Sequence, residues 1–445
     1  MGFRASIRHH STDFDHGDLT GTQVGRDHAR FASMRRNYIV SLFILELGWA
    51  MITMASSFFI YAQSGSVAAT GLIVVCLNLP SLLLPGAATS LARRFGGPTI
   101  WVMEAGVECL ITLVFVALSA TGHLNTTNLL LFFLLLGILW GLCSPSAGLV
   151  RRLIAAPGQL PEFNGQAAQA VALATVIGLL AGGAVYTALG PTWVFAIGAV
   201  SLLPALSLLG LTKEPVPHID GEVERFRGVF EIRRNNPGLR AVCMFTGLSV
   251  IIASYVVTLP ALAQMIAHDA KMDSSAGIQS LLQASSVVGG LFVVMAMRKA
   301  HGRVSWGLVQ RICFLIAASG LVVIAVIAHR DASPLIVISL TVLLLIPIGF
   351  ALTLDQSILA TLMQAGAPAK SRASVLTGYA LIPMILAPVG QELIGIMADQ
   401  FSVTSALIII AVPALLLVLL GPHLSLRKAL DELSDEATDE EVVGS

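Results

Sequence analysis

Long runs of apolar residues alternate along this chain with short polar stretches. Twelve of the runs are each about long enough to cross the hydrocarbon core of a bilayer, which needs roughly 20 residues of helix. Because unpaired backbone polar groups are too costly in lipid, each run is expected to be helical. The predicted helices cover residues 38–62, 67–90, 99–121, 127–147, 165–188, 191–212, 240–263, 275–297, 305–329, 334–358, 373–397 and 402–421.

The longest polar interruption, residues 213–239, separates the sixth predicted helix from the seventh and contains three prolines. It is the predicted cytoplasmic linker between two bundles of six helices, residues 37–212 and 240–421. A polar tail is predicted at residues 1–36 and an acidic, solvated tail at residues 422–445. The sequence therefore predicts an all-α membrane protein with 12 transmembrane helices in two six-helix bundles.

The distribution of basic residues gives the predicted orientation. With a cytoplasmic amino terminus, all of the 26 basic residues except Lys271 and Arg330 fall on the cytoplasmic side. An excess of Lys and Arg in cytoplasmic segments is the usual determinant of topology. We expect a multi-pass protein of the cell's inner (plasma) membrane with both termini in the cytoplasm.

Composition narrows the class of function. Only 12% of the residues are charged, against about 25% in a typical soluble protein, and the net charge is zero. Nothing therefore indicates nucleic acid as a partner. The five cysteines form no CxxC pair, and no cluster of metal ligands or Ser–His pair converges in the apolar runs, so we expect no metal, no cofactor and no enzyme activity. No nucleotide-binding P-loop motif is present. If the chain transports a solute uphill, an ion gradient must therefore supply the energy.

The two halves also resemble each other. Arg93-Arg94 is followed by Trp101, and Arg298-Lys299 is followed by Trp306, with both sets 205 positions apart. Parallel six-helix repeats are a known transporter architecture, with the substrate bound near the midplane between them.

Three motifs carry a family resemblance. Leu91–Gly97 resembles the cytoplasmic signature G-x-x-x-D-R-x-G-R-R of the major facilitator superfamily, with Arg93 at the usual Asp position. Gly178–Gly183 is similar to the antiporter signature G-P-x-x-G-G, with Leu179 in place of proline. The run from Pro145 to Asn164 resembles that of the siderophore- and drug-exporter branch, to which the chain looks nearest. The resemblance implies efflux by proton antiport, of the kind that underlies multidrug resistance, and that a monomer suffices.

Glu46 is the first candidate for proton coupling. It lies near the middle of the first predicted helix, and Trp49, Thr53 and Ser57 follow at steps of three or four residues, on the same face. A charge at this depth costs at least about 2.5 kcal/mol, so it usually faces protein or water. Since this helix lines the cavity in the family, we interpret Glu46 as a protonation site and its three neighbours as substrate contacts. The alternative is a carboxyl group hydrogen-bonded to a neighbouring helix.

Glu104 and Glu108 lie one turn apart on the third predicted helix. Two adjacent carboxylates without a cation repel, which suits a proton relay. An interfacial or packing role is the alternative.

Further candidates rest on the resemblance. The expected cavity residues are Asn78, Tyr255 and Gln283, and the expected gating residues are Arg93, Arg94, Asp355, Gly178, Gly182 and Gly183. A charge pair at a helix end is the simpler interpretation of Asp355, and tight helix packing is the simpler interpretation of the glycines.

No Lys or Arg is predicted at the midplane, whereas an anionic substrate normally needs a buried cation. The sequence therefore favours an exporter of a small neutral or cationic organic molecule, such as a drug, siderophore or natural product, in exchange for protons. The alternatives are a proton-coupled importer of a small metabolite and a membrane sensor or scaffold that transports nothing.

Overall fold

The computed structural model describes residues 21–155, 159–213, 237–270, 275–300, 306–328, 333–367 and 371–420. Most of the predicted linker, residues 214–236, the start of the predicted amino-terminal tail, residues 1–20, and the whole predicted acidic tail lie outside the described residues, which end at residue 420. Every regular element that the structure describes is helical.

The first half of the chain forms eight α-helices and a 3-10 helix. They are α1 (Gly21–Ser64), α2 (Val67–Leu83), α3 (Pro85–Phe95), α4 (Gly97–Ala120), α5 (Thr126–Cys143), α6 (Ser146–Ile154), α7 (Leu160–Leu189), α8 (Pro191–Ser201) and the 3-10 helix Leu203–Lys213.

The second half repeats this plan. It contains α9 (Pro237–Ala253), the 3-10 helix Ser254–Thr258, α10 (Leu259–Ala270), α11 (Ser275–Leu291), α12 (Val293–Ala300), α13 (Trp306–Ala328), α14 (Pro334–Gly366), α15 (Arg372–Gln400) and α16 (Val403–Leu420). Over the described ranges, ten helical stretches are long and apolar enough to cross a membrane, or eleven if the bent pair α2–α3 counts as one. The apolar helix α16 makes the predicted twelve compatible with this count.

Several predicted helices have other bounds in the structure, and those predicted at residues 67–90, 191–212, 240–263 and 275–297 are each divided into shorter helices. Helix α1 begins at Gly21, well before residue 38, because the polar stretch ahead of the apolar run contains no proline to stop it. Helix α14 continues to Gly366, past the predicted end at residue 358. The predicted second helix is broken, and α2 and α3 meet at an angle of 67°. Pro85 cannot donate a backbone hydrogen bond and disfavours helical geometry at the residue before it, so the break falls there.

The outer surface is strongly apolar. Leu110, Leu335 and Leu343 are 65%, 75% and 66% exposed, respectively, and many other large apolar side chains share this face. Such a surface would associate in water, but in a bilayer it is solvated by lipid.

Helices α1 and α7 pack with their backbones in contact. A Cβ atom at Gly178 would lie 2.4 Å from the carbonyl oxygen of Leu47, and one at Gly182 would lie 2.9 Å from the Cα of Met51. Two of the predicted gating glycines are thus required by packing within the first bundle. Between the bundles, the main contacts join α2 to α15 and α7 to α11.

Candidate functional site

A cavity of about 380 Å³ lies in the first bundle, where it faces α15 of the second. Its wall is formed by Leu77, Asn78, Ser81, Trp101, Glu104, Trp140, Cys143, Ser144, Ser146, Ala147 and Met384. The volume falls in the usual range of small-molecule sites. None of these lining residues is basic, and Glu104 is the one acidic group among them.

The two acids of α4 have different surroundings. Glu104 is at the cavity wall, where Ser146 Oγ donates a hydrogen bond of 3.1 Å to its Oε2. Glu108 is one turn deeper and 5% exposed, and it accepts a bond of 3.4 Å from the indole Nε1 of Trp140. Because Trp140 also lines the cavity, it connects the buried carboxyl group to the space that a ligand would fill.

Trp140 also connects the cavity to α1. Its ring packs edge-on against that of Trp49, with centroids 4.5 Å apart. One turn before Trp49, Glu46 accepts a weak hydrogen bond of 3.5 Å from Thr175 on α7. Glu108 is within electrostatic range of both Glu46 and Glu104. The structure thus brings the three acids proposed for proton coupling together, two of them within electrostatic range of the central one, to which Trp140 is hydrogen-bonded.

The remaining predicted cavity residues are placed differently. Asn78 lies in the cavity wall, whereas Thr53, Ser57, Tyr255 and Gln283 are absent from the wall that the described residues form. Thr53 and Ser57 donate to carbonyl groups of their own helix. Tyr255 and Gln283 are buried in the second bundle.

At the opposite end from the cavity, the two bundles are joined by polar contacts. Asp399, at the end of α15, accepts hydrogen bonds from Ser66 Oγ at 2.6 Å, from the backbone N–H of Val67 at 2.7 Å and from that of Ala68 at 3.2 Å. Since Ser66 is the N-cap of α2, the carboxylate of one bundle caps a helix of the other.

A second contact closes the same end. Gln279 of α11 is fully buried and donates a bond of 2.8 Å to Ser57 of α1. Nearby, Gly183 of α7 lies directly against Ser280, where a Cβ atom would be only 2.1 Å from the serine Oγ. Gly183, the third predicted gating glycine, therefore lies at the interface between the bundles.

The charged gating candidates do not form one site. Arg93 and Arg94 are exposed in the last turn of α3, and the Arg94 guanidinium lies 5.2 Å from the centroid of the Phe95 ring. Asp355 is not at a helix end, as the predicted boundary implied, but within α14, 1% exposed. The interpretation of Asp355 as a helix-end charge pair is therefore wrong, because the helix continues beyond it.

Sequence reasoning missed Trp101, Trp140 and Ser146, which lie beside the acids. Each belongs to an apolar or small-residue stretch, where an aromatic or hydroxyl group is most often part of ordinary packing. Their one signal is polarity, because a buried indole N–H or serine O–H needs an acceptor. Trp140 donates to Glu108 and Ser146 donates to Glu104, whereas the Trp101 N–H has no partner among the described residues.

Comparison with known families identifies the chain. The sequence model of the Major Facilitator Superfamily matches residues 38–391. The chain belongs to the major facilitator superfamily. Among curated proteins, none matches the sequence.

Solved transporter structures share the fold. A bacterial homologue of the human lysosomal transporter Spinster, in an inward-facing, unoccupied conformation, aligns with a TM-score of 0.59 at 15% identity, covering 92% of this chain and 98% of its own. The nucleoside transporter NupG aligns with a TM-score of 0.67 at 12% identity, covering 88% and 98%. A variant of the peptide transporter POT bound to sulfate aligns with a TM-score of 0.69 at 15% identity, covering 90% and 95%. At these identities the likeness concerns the fold alone.

Proposed function

We propose that this protein exports a small neutral or cationic organic molecule in exchange for protons, by alternating access across the inner membrane. The observation that carries the proposal is the cavity wall, in which Glu104 and two tryptophans are present and basic residues are absent. An acid near aromatic rings suits a lipophilic cation, because both the charge and the ring faces attract it.

For a cationic substrate, competition with the proton at one carboxyl group would couple the two fluxes. A proton on Glu104 removes the charge that would hold a cationic substrate, so the two ligands exclude each other at this carboxyl group. Glu108 and Glu46 lie within electrostatic range behind it and would pass or share the proton. Such a difference in affinity between the protonated and deprotonated forms is what couples two fluxes.

Alternating access would then separate the bundles at the end where Asp399 and Gln279 join them. We take residues 37–212 and 240–421 as the two moving bundles and residues 213–239 as the linker between them. With both termini in the cytoplasm, that closed end would be external and the cavity would lie on the cytoplasmic side.

Transport by purified protein in liposomes tests the proposal. A panel of lipophilic cations and neutral antibiotics would be loaded, a pH gradient imposed, and substrate and proton fluxes recorded together. We expect substrate efflux against proton influx in the wild type, loss of the coupling in Glu104→Gln, and wild-type behaviour in Glu162→Gln. Glu162 is the matched control because it is an exposed acid on α7 that is not among the residues lining the cavity.

Each other outcome is informative. Movement of substrate and protons in the same direction would contradict export by antiport and would support the alternative, a proton-coupled importer. A substrate flux that does not depend on the pH gradient would contradict proton coupling. Binding of a substrate without any flux would contradict the proposed transport of such molecules. The absence of both binding and flux for every compound of the panel would also contradict it.

A further inference from the structure

The second bundle contains a buried acid that the cavity does not use. Asp355 of α14 is 1% exposed, and neither of its carboxylate oxygens has a hydrogen-bond partner among the residues that the structure describes. It is not among the residues that line the cavity. Buried polar atoms in proteins almost always have a partner, so two orphan oxygens on one carboxyl group call for an explanation.

Three helices place side chains around this group. Ser249 from α9 faces the carboxyl group without hydrogen-bonding geometry, and its Oγ is itself unpartnered. Cys313 from α13 and Tyr379 from α15 are within electrostatic range of it. The Tyr379 hydroxyl is paired with Thr246 at 3.0 Å.

A second orphan side chain lies on the same face of α13. Gln310 is one turn before Cys313, fully buried, and both its amide nitrogen and its amide oxygen lack partners. Residues three apart on a helix share a face, so the amide and the thiol are oriented towards the same region of the bundle. Polar atoms from three helices are thus buried without partners in one bundle.

None of the side chains facing Asp355 in the described structure can neutralise it. They are a hydroxyl, a thiol and a phenol, and the two that titrate, Cys313 and Tyr379, can only add negative charge. An ionised carboxylate without a counter-charge does not persist in such a setting. The counter-charge must therefore be a small cation, which leaves a proton or a metal ion.

The donor set favours the proton. A hard metal ion takes six or more oxygen ligands, whereas one carboxyl group, one hydroxyl and one phenol face this position, together with a soft thiol. A proton needs one carboxylate oxygen, and the O–H that forms can donate to a neighbouring acceptor.

We propose that Asp355 is a proton-binding site in the second bundle, separate from the acids at the cavity, and that it binds and releases a proton. The role of this site in coupling rests on the proposed transport function; its occupancy by a proton does not. Each bundle would then contain its own proton site, one beside the substrate and one remote from it.

Isotope labelling provides a direct test on the full-length wild-type chain. With aspartate labelled with ¹³C at the side-chain carboxyl, infrared spectroscopy distinguishes a protonated carboxylic acid from a carboxylate. Among the aspartates whose side chains the structure describes, Asp355 is buried and Asp399 is exposed. A protonated aspartic acid at neutral pH is assigned to Asp355 when its signal is lost in a variant at that position.

We expect this signal to correspond to one aspartate, to shift in D₂O, to disappear as the pH is raised, and to be the same in sodium chloride and choline chloride. It should be lost in Asp355→Asn and retained in Asp399→Asn. If Asp355→Asn fails to fold, Asp355→Glu replaces it, because that variant keeps a carboxyl group but should lose the signal of the labelled aspartate.

Three results would overturn the proposal. An ionised aspartate population alone at neutral pH would show that Asp355 has a counter-charge other than a proton. A signal that neither exchanges nor titrates would make it a permanently neutral packing group. Loss of the signal on adding sodium would assign the site to a metal ion. The infrared experiment uses no substrate, so its result does not depend on transport. If Asp355 titrates but the protein shows no flux, the proton site stands and only the transport proposal is rejected.

Discussion

Removing the charge of Asp399 should favour separation of the bundles at their closed end. The carboxylate accepts three hydrogen bonds at the start of α2, two of them from backbone N–H groups. Asp399→Asn keeps one acceptor oxygen but loses the negative charge and at least one of the three bonds. The contact exists only while α2 and α15 are together, so its loss acts on the equilibrium between closed and open states.

The expected magnitude follows from the position of the contact. A charge at a helix N-terminus is worth about 0.3–1 kcal/mol when exposed and up to about 2 kcal/mol when partly buried. Asp399 is exposed, whereas Val67, which donates to it, is buried. We therefore expect a shift of about 1 kcal/mol, or about fivefold in the ratio of open to closed protein, and a smaller shift at high salt.

Distances between spin labels at positions 62 and 401 would measure this equilibrium. Both positions are exposed and lie beside the contact, one in each bundle. The labels are introduced as Ala62→Cys and Phe401→Cys in a chain whose native cysteines have been replaced. A longer distance should gain population in Asp399→Asn.

The matched control removes a helix cap within one bundle. Gln63 accepts a bond of 2.6 Å from the backbone N–H of Thr126 at the start of α5, so its cap does not depend on the other bundle. Gln63→Leu should leave the distance distribution unchanged. Equal distributions in Asp399→Asn and the wild type would refute the reasoning that this carboxylate holds the bundles together.

Three further substitutions test the packing and the cavity. Gly178→Leu should lower the free energy of unfolding by about 1–3 kcal/mol through overpacking against α1, as measured by thermal unfolding in detergent, while Gly148→Leu should not, because nothing lies within 4 Å of its Cβ position. Gly183→Ala should open the closed end in the same distance measurement, and Ser280→Gly should restore it, because the added Cβ would meet the Ser280 hydroxyl; failure of this rescue would contradict the assignment. Trp140→Phe should weaken binding of tetraphenylphosphonium about fivefold through loss of the indole, whereas Trp193→Phe, at an exposed position on α8, should bind normally.

Hydropathy was sufficient to predict where most helices lie, because the bilayer imposes their length. The third and fifth predicted helices, 99–121 and 165–188, end within a residue of the observed ends at Ala120 and Leu189. The polar start of α1 and the far end of α14 were missed, since helical structure continues outside the apolar stretch on which the prediction depends.

The candidate site was predictable in part. The cost of a charge in lipid marked Glu46, Glu104 and Glu108, and the structure brings them together. Their partners were not predictable, since the Trp140 indole meets Glu108 across 32 positions of sequence. The lack of a hydrogen-bond partner for Asp355 could not be predicted for the same reason, because the neighbouring helices that surround it come from distant parts of the sequence.

The size of the cavity has a consequence for hydration. At roughly 30 Å³ for each water molecule, about 380 Å³ corresponds to about a dozen waters. A substrate that fills the cavity must release most of them and must regain its own hydration shell when it leaves. Within a homologous series, affinity should therefore rise with each added methylene until the volume is full and then fall abruptly. The position of that maximum would measure the cavity in solution without any structure.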